Sequence, residues 1–298
     1  MKIELYPPLS IHEIGQRENQ EDSIIQWDNL LFVLCDGMGG HEKGEVASQT
    51  VCQSLATWFD NNLKHESFSD DQLREAIEYA YTELDKYADG NPRQMGTTLT
   101  LLYIGSKGIT AAHMGDSRIY HIRPEAGVLY QSRDHSLVFD LFQAGEITYE
   151  QMATFPQKNI VTRAMTPGED NRMHPDIIHI TDIQPNDYFY MCSDGMMEKM
   201  TNNELLTLFS ADMDDKMKVG QLKMATNQNF DNHTAWIIHI KDVIKEENDN
   251  QYENEESSSR FNAINILPHP VYDAEDNDVV VVGSKEKSLF QKIIGLFK

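Results

Sequence analysis

Carboxylates recur beside glycines and turn residues at the borders of apolar runs: Glu21-Asp22, Asp36-Gly37-Met38-Gly39-Gly40, Ser193-Asp194-Gly195 and Asp231-Asn232, with Asp116 in Gly115-Asp116-Ser117-Arg118 as a further case. A strand that delivers an aspartate into a glycine turn can aim that carboxylate at a cation, because glycine has no Cβ to hold the backbone away. Each of these aspartates alone is more often a turn former or a helix cap. If the strand ends that carry them converge at one sheet edge, the crowded anions repel unless hard cations neutralise them. Two or more Mg²⁺ or Mn²⁺ ions suit an oxygen-only ligand set, and no His or Cys cluster has zinc spacing. Paired ions of this kind polarise a phosphoryl oxygen and activate water, so phosphate-ester hydrolysis is the chemistry such a site does best. Arg17, just before Asp22, offers a forked cation for phosphoryl oxygens.

The bulk composition fits this reading. A formal net charge of -23 over 298 residues excludes a nucleic-acid binder, which needs a basic face, and suits a collector of divalent cations. Cys35, Cys52 and Cys192 are too few for a disulfide framework, and two of them lie inside apolar runs as small hydrophobes. The N-terminal stretch lacks the apolar segment of a signal peptide and no run reaches the ~20 residues of a spanning helix, so a cytoplasmic protein is expected.

Along the chain, two apolar runs between Ser23 and Cys35 flank Asp28-Asn29, the pattern of a β-hairpin that ends at Asp36. Apolar residues at helical spacing from Glu45 to Leu63 and again around Leu73 to Leu84 predict two long amphipathic helices. Short β-rich runs at Thr97 to Ile104, Ile109 to Met114, Arg118 to Ile122 and Val128 to Gln131 read as one antiparallel meander. From Ser136 to Pro175 the pattern loosens, with a short helix at Leu137 to Gln143, and reads as a mobile insertion. Strands follow at Ile177 to Ile180 and Tyr188 to Cys192, then helices at Asn202 to Ser210 and Asp215 to Ala225, then a last strand at Ala235 to Ile240. This order implies an α+β fold in which two antiparallel sheets pack together with helices outside.

A domain over residues 1–242 is expected, followed by an acidic linker over 243–284 and an amphipathic helix over 285–298. Lys245 to Glu256 carries six acids against one base and almost no apolar residues, which cannot bury enough surface to fold. In Ser288 to Lys298 the residues Leu289, Phe290, Ile293, Ile294, Leu296 and Phe297 share one helical face. Docking on the chain's own domain, a membrane surface or a partner groove would each satisfy that face. Oligomeric state leaves no signature in the sequence.

Arg17-Glu18-Asn19-Gln20-Glu21-Asp22-Ser23, Asp36-Gly37-Met38-Gly39-Gly40, Gly96-Thr97-Thr98, Gly115-Asp116-Ser117-Arg118, Asp134-His135-Ser136, Ser193-Asp194-Gly195 and Asp231-Asn232-His233-Thr234 occur in an order and spacing that resembles the metal-dependent protein Ser/Thr phosphatases, the PPM family, in its bacterial branch. The resemblance spans about Gly15 to Ile240. It implies a four-layer αββα sandwich and phosphorylated proteins as substrates, probed in a cleft that holds two or three Mg²⁺ or Mn²⁺ ions. It further implies that Asp22, Asp36, Asp194 and Asp231 ligate metal through side chains and Gly37 through its carbonyl. Glu21 would bind a metal-held water, Arg17 the substrate phosphate, and Asp116 with Asp194 a third, weaker ion. The segment Ser136 to Pro175 takes the place of the family's flap. Two departures stand out: Met38 replaces a His proposed as general acid in many eukaryotic members, and Asn229-Phe230 precedes Asp231 where a glycine pair is usual. A catalytically silent phosphoprotein-binding module and a phosphatase dedicated to one regulatory partner are the alternatives, and silent modules typically lose the ligand acids that this chain keeps.

Overall fold

Asp28 and Asn29 both take positive φ, 47° and 52°. The two left-handed residues form a tight turn closed by the Leu30 N–H on the Trp27 carbonyl at 3.0 Å, within the three-residue connection Asp28-Asn29-Leu30. It folds β3 (Asp22–Trp27) onto β4 (Leu31–Met38) in a register that sets Asp22 directly opposite Asp36. The computed structural model describes residues 1–39, 42–63, 68–88, 95–168 and 172–245. Its other elements are β1 (Lys2–Leu5), β2 (Leu9–Glu13), α1 (Glu42–Asn62), α2 (Asp70–Asp85), β5 (Gly96–Thr97), β6 (Leu99–Gly105), β7 (Gly108–Met114), β8 (Arg118–Arg123), β9 (Gly127–Gln131), α3 (Leu137–Gln143), α4 (Tyr149–Thr154), β10 (Asp176–Ile180), β11 (Tyr188–Cys192), α5 (Asn202–Ser210), α6 (Asp215–Thr226) and β12 (His233–Ile244).

One antiparallel sheet runs β1-β12-β11-β8-β9 with β2 also on β12, and the other runs β10-β7-β6-β4-β3 with β5 on β4. Strand periodicity explains how they stack. Leu31, Val33 and Cys35 of β4 pack against Val51, Leu55 and Phe59 of α1 and Leu73 and Ile77 of α2. The alternate residues Phe32 and Leu34 meet Phe189, Met191, Trp236 and Ile238 of the other sheet. On that sheet's far side, Tyr190, Ala235 and Ile237 pack against Leu205, Phe209 and Leu222 of α5 and α6. The result is the expected αββα sandwich. The Trp236 indole also donates to the Val33 carbonyl across the sheet interface at 3.1 Å.

The meander expected over Thr97 to Gln131 is corrected. β6 pairs with β7 and β8 with β9, but β7 and β8 belong to different sheets, so the chain crosses the sandwich at Gly115-Asp116-Ser117. Strand propensity is the same in either sheet; only packing decides which partner a strand takes. Strands β1 and β2 were hidden in the sequence because Tyr6-Pro7-Pro8 interrupts them, a break tolerated where each pairs with one half of β12. The Ser136 to Pro175 segment holds a second short helix, α4, is tied to the core by the bridge Thr97 to Met165, and closes on itself through the bridge Ser136 to Val161. Val243 and Ile244, read from the sequence as the start of the linker, instead extend β12 and pair with Ile3 and Lys2. The rest of the linker from residue 246 and the terminal helix lie outside the described residues, and no helix among the described residues is long and apolar enough to cross a membrane.

Far from the acidic turns, fully buried Asp187 accepts both Nε and Nη2 of Arg123 at 2.8 and 2.9 Å and the His121 Nε2 at 2.8 Å. Burial alone would raise this carboxyl, but the His121 and Arg123 bonds win and hold it at about 2. A depressed folded value means the stabilisation is complete above the unfolded carboxyl range and is lost as pH falls from about 4 towards 2. On the order of 2 kcal/mol is at stake. Asp187→Asn is expected to lower stability at pH 7 and flatten its acid dependence between pH 4 and 2 in urea titrations; an unchanged acid limb would refute this.

Candidate metal centre and phosphate site

Asp36 follows Leu34 on the face of β4 that looks between the sheets, and Asp22 shares that face with Ile24. The backbone of Asp36 is fixed by the Gly96-Thr97-Thr98 motif. Its N–H donates to Thr98 Oγ1 at 2.9 Å, and its carbonyl accepts from Thr98 N at 2.8 Å and Thr97 Oγ1 at 3.0 Å. Gly37 then passes so close to α1 that an added Cβ would lie 2.1 Å from the Gly44 carbonyl oxygen. Its N–H donates to the Glu21 carbonyl at 3.0 Å, which sets Glu21 beside the same corner. Glu21 is held from the other side, its N–H donating to Asn232 Oδ1 at 2.8 Å.

The remaining aspartates arrive from the second sheet and the crossover. Asp194 follows β11 in a 3-10 turn at Asp194–Met197, and Asp231 precedes β12. Ser193, immediately before Asp194, donates to Asp22 Oδ2 at 2.8 Å, joining the two sheets at this end. Electrostatics shows that the carboxylates converge. Burial is the largest influence on Asp22, Asp36, Asp116 and Asp194, and their mutual repulsion adds to it. Asp22 is pushed up to about 7, Asp116 to about 8 and Asp194 to about 6, and Asp36 rises well above the carboxylate range. Asp194 is the most exposed of them, and the Arg118 cation partly offsets its rise.

Asp22 Oδ1 is buried with no hydrogen-bond partner among the described residues. An acceptor left bare in a buried site costs about 1–3 kcal/mol, more when charged, unless something binds it. This orphan oxygen, the glycine approach at Gly37 and the set of mutually destabilised acids are what hard, oxygen-loving cations require. The donors therefore fit Mg²⁺ or Mn²⁺.

Arg17 reaches the cluster but points its Nη2 at Asp231 Oδ2, 2.8 Å away, with its guanidinium 5.3 Å from the Phe230 ring centroid. The unusual Asn229-Phe230 loop is anchored without the glycine pair. Phe230 N donates to Glu198 Oε2 at 2.7 Å, Asn229 Nδ2 to the Gly195 carbonyl at 2.7 Å, and Gln16 N to the Phe230 carbonyl at 2.9 Å. Gly15, at φ 64°, lets the opposite loop pass where a Cβ would lie 2.2 Å from the Asp231 oxygen.

Sequence reasoning overlooked several supports. Arg118 binds Asp134 through Nε at 2.7 Å and Nη2 at 2.6 Å beside Asp116 and Asp194. Glu198 and Ser193 act as backbone and carboxylate anchors, and only the Gly-Asp-Ser-Arg and Asp-His-Ser motifs had hinted at the Arg118–Asp134 pair. His113, His135 and Asp176 also bring ligand atoms within 4.8 Å of one another. The histidine rings, however, stack at 4.7 Å with planes only 10° apart, so their in-plane lone pairs do not converge on one ion.

Comparison with known proteins agrees with this geometry. The family model "Protein phosphatase 2C" matches residues 12–229. A "putative protein phosphatase 2C-type" of Streptococcus pyogenes is 32% identical over 236 residues, covering 76% of this chain and 94% of that protein. Protein phosphatase PhpP of Streptococcus pneumoniae is 31% identical, covering 77% and 96%. The catalytic domain of serine threonine protein phosphatase PstP in complex with 2 manganese ions superposes with a TM-score of 0.68 at 25% identity, covering 80% of this chain and 99% of that one. The chain belongs to the protein phosphatase 2C family, and its activity is metal-dependent dephosphorylation of protein serine and threonine.

Proposed function

We propose that the acidic cleft is the catalytic centre, with Asp22, Asp36, Asp194, Asp231 and the Gly37 carbonyl holding two Mg²⁺ or Mn²⁺ ions and Asp116 with Asp194 holding a third, weaker one. The observation that carries this is the bare, buried Asp22 Oδ1 facing a strand partner, Asp36, that is also an acid. When bound, the ions neutralise the cluster, polarise a phosphoryl oxygen and lower the pKa of water enough to make it a nucleophile near neutral pH. The chain's own residues do the positioning. Glu21, pinned at its N–H and carbonyl, would hold a water at the edge of the cluster. Arg17 carries five N–H donors, and the Asp231 bond is a single one at Nη2, so the fork can turn to a phosphoryl group. Phosphorylated proteins are the substrates we assign, and Met38 supplies no proton, so the leaving alkoxide takes its proton from another group.

Arg17→Ala is expected to raise KM for a phosphothreonine peptide by about 10-fold or more in saturating Mn²⁺, the scale of losing a charge-assisted pair worth about 1.5–3 kcal/mol. An unchanged KM would remove Arg17 from the phosphate site. Binding of the peptide by the wild-type chain without release of phosphate would favour the silent-module reading instead.

A further inference from the structure

His135 has no place in the chemistry above, yet four polar contacts and a ring stack converge on it from three separate parts of the chain. Its ring Nδ1 accepts the Gly115 N–H at 3.1 Å, and its own N–H donates to the Gly115 carbonyl at 2.8 Å. Gly115 opens the turn that carries Asp116. The His135 carbonyl accepts the Thr162 N–H at 2.8 Å, from the far side of the flap segment. Its ring Nε2 meets Asp176 Oδ2 at 3.1 Å, where the flap segment rejoins the sheet, and Asp176 also binds Arg163 of that segment at 2.6 Å. The fifth contact is the stacked His113 ring, itself fixed by Nε2 on the Arg133 carbonyl at 2.8 Å.

These bonds fix the tautomer. A ring nitrogen that accepts from a backbone N–H carries no proton, so the neutral ring holds its proton on Nε2 and donates it to Asp176. One ring therefore reads the Gly115 turn with one nitrogen and the base of the flap with the other. The turn has little freedom of its own: Gly115 sits at φ 107°, and a Cβ there would lie 2.5 Å from Thr98 Cγ2, the same Thr98 that holds Asp36.

We propose that His135 is a positioning residue that locks the Asp116 turn and the flap base into one arrangement, so that the aim of Asp116 and access to the cleft are set together. The proposal rests on the catalytic assignment of that cleft. Outer partners of this kind typically change metal affinity by about 10–100-fold when removed.

The test uses the full chain with His135→Ala, His135→Asn and His135→Gln. Asn places an oxygen where Nδ1 stood and keeps the Gly115 bond; Gln places its amide where Nε2 stood and keeps the Asp176 bond. Amide hydrogen exchange should speed up at Gly115–Asp116 in the Ala and Gln variants and recover in Asn, while exchange over 136–168 should speed up in Ala and Asn and recover in Gln. Calorimetric Mn²⁺ titration should show the weakest site loosened about 10-fold in Ala and Gln but not in Asn. Faster exchange spread evenly over the domain, or no local change in any variant, would overturn the proposal. A wild-type chain that takes up no Mn²⁺ would instead defeat the catalytic assignment, and the exchange pattern would still judge the coupling of turn and flap.

Discussion

Asp36→Asn should lower phosphopeptide hydrolysis by ~10³-fold or more while raising the melting temperature of the protein in chelator. The loss corresponds to about 4 kcal/mol of transition-state charge stabilisation, the scale of what a catalytic metal supplies. The gain has a separate origin. Asp36 stands directly across the strand pair from Asp22, and like charges so placed oppose folding. The backbone of residue 36 is held by Thr97 and Thr98 through its N–H and carbonyl, so an asparagine keeps those bonds. About 1 kcal/mol of relief, or roughly 2–4 °C in a domain of this size, is expected by calorimetry in EDTA. A variant that melted lower in EDTA would mean the protein itself neutralises this carboxylate.

Gly37→Ala should cost about 3 kcal/mol or more and take metal affinity with it. A Cβ at 37 meets the Gly44 oxygen at 2.1 Å and the Glu21 oxygen at 2.6 Å, and both are backbone atoms that move only if α1 or the Glu21 segment moves. Overpacking that displaces backbone lies at the upper end of core effects. The same substitution at Gly220, inside α6 with nothing within 4 Å, removes only a poor helix former and should stabilise by about 0.5–1 kcal/mol. Urea midpoints of the two variants should therefore move in opposite directions. Equal shifts would show that close approach at Gly37 is not what constrains it.

Much of this molecule can be read from local chemistry. Asp28-Asn29 marks its hairpin because those residues tolerate positive φ, and the helix of Asn202–Ser210 begins at Thr201 with a capping box to Glu204. The acids show themselves because a turn glycine after an aspartate has a physical reason. What the sequence withholds is partnership across distance. The runs at Ile109 to Met114 and Arg118 to Ile122 look like neighbours, yet they lie in opposite sheets, since Gly115-Asp116-Ser117 serves as a crossover and not a hairpin turn. The altered loop before Asp231 gave no sign of its anchor, because Glu198 is distant in sequence and meets Phe230 only in the fold. Arg17 likewise appears in the sequence as a phosphate ligand, while its bond to Asp231 depends on two loops meeting in space.

Carboxylates from both sheets should act together as one metal centre. Calorimetric titration of Mn²⁺ into chelator-stripped protein tests it most directly, with wild type beside Asp36→Asn from one sheet and Asp194→Asn from the other. At least two Mn²⁺ per chain are expected for wild type, with loss of tight binding in both variants. Undiminished Mn²⁺ binding in either variant would contradict it.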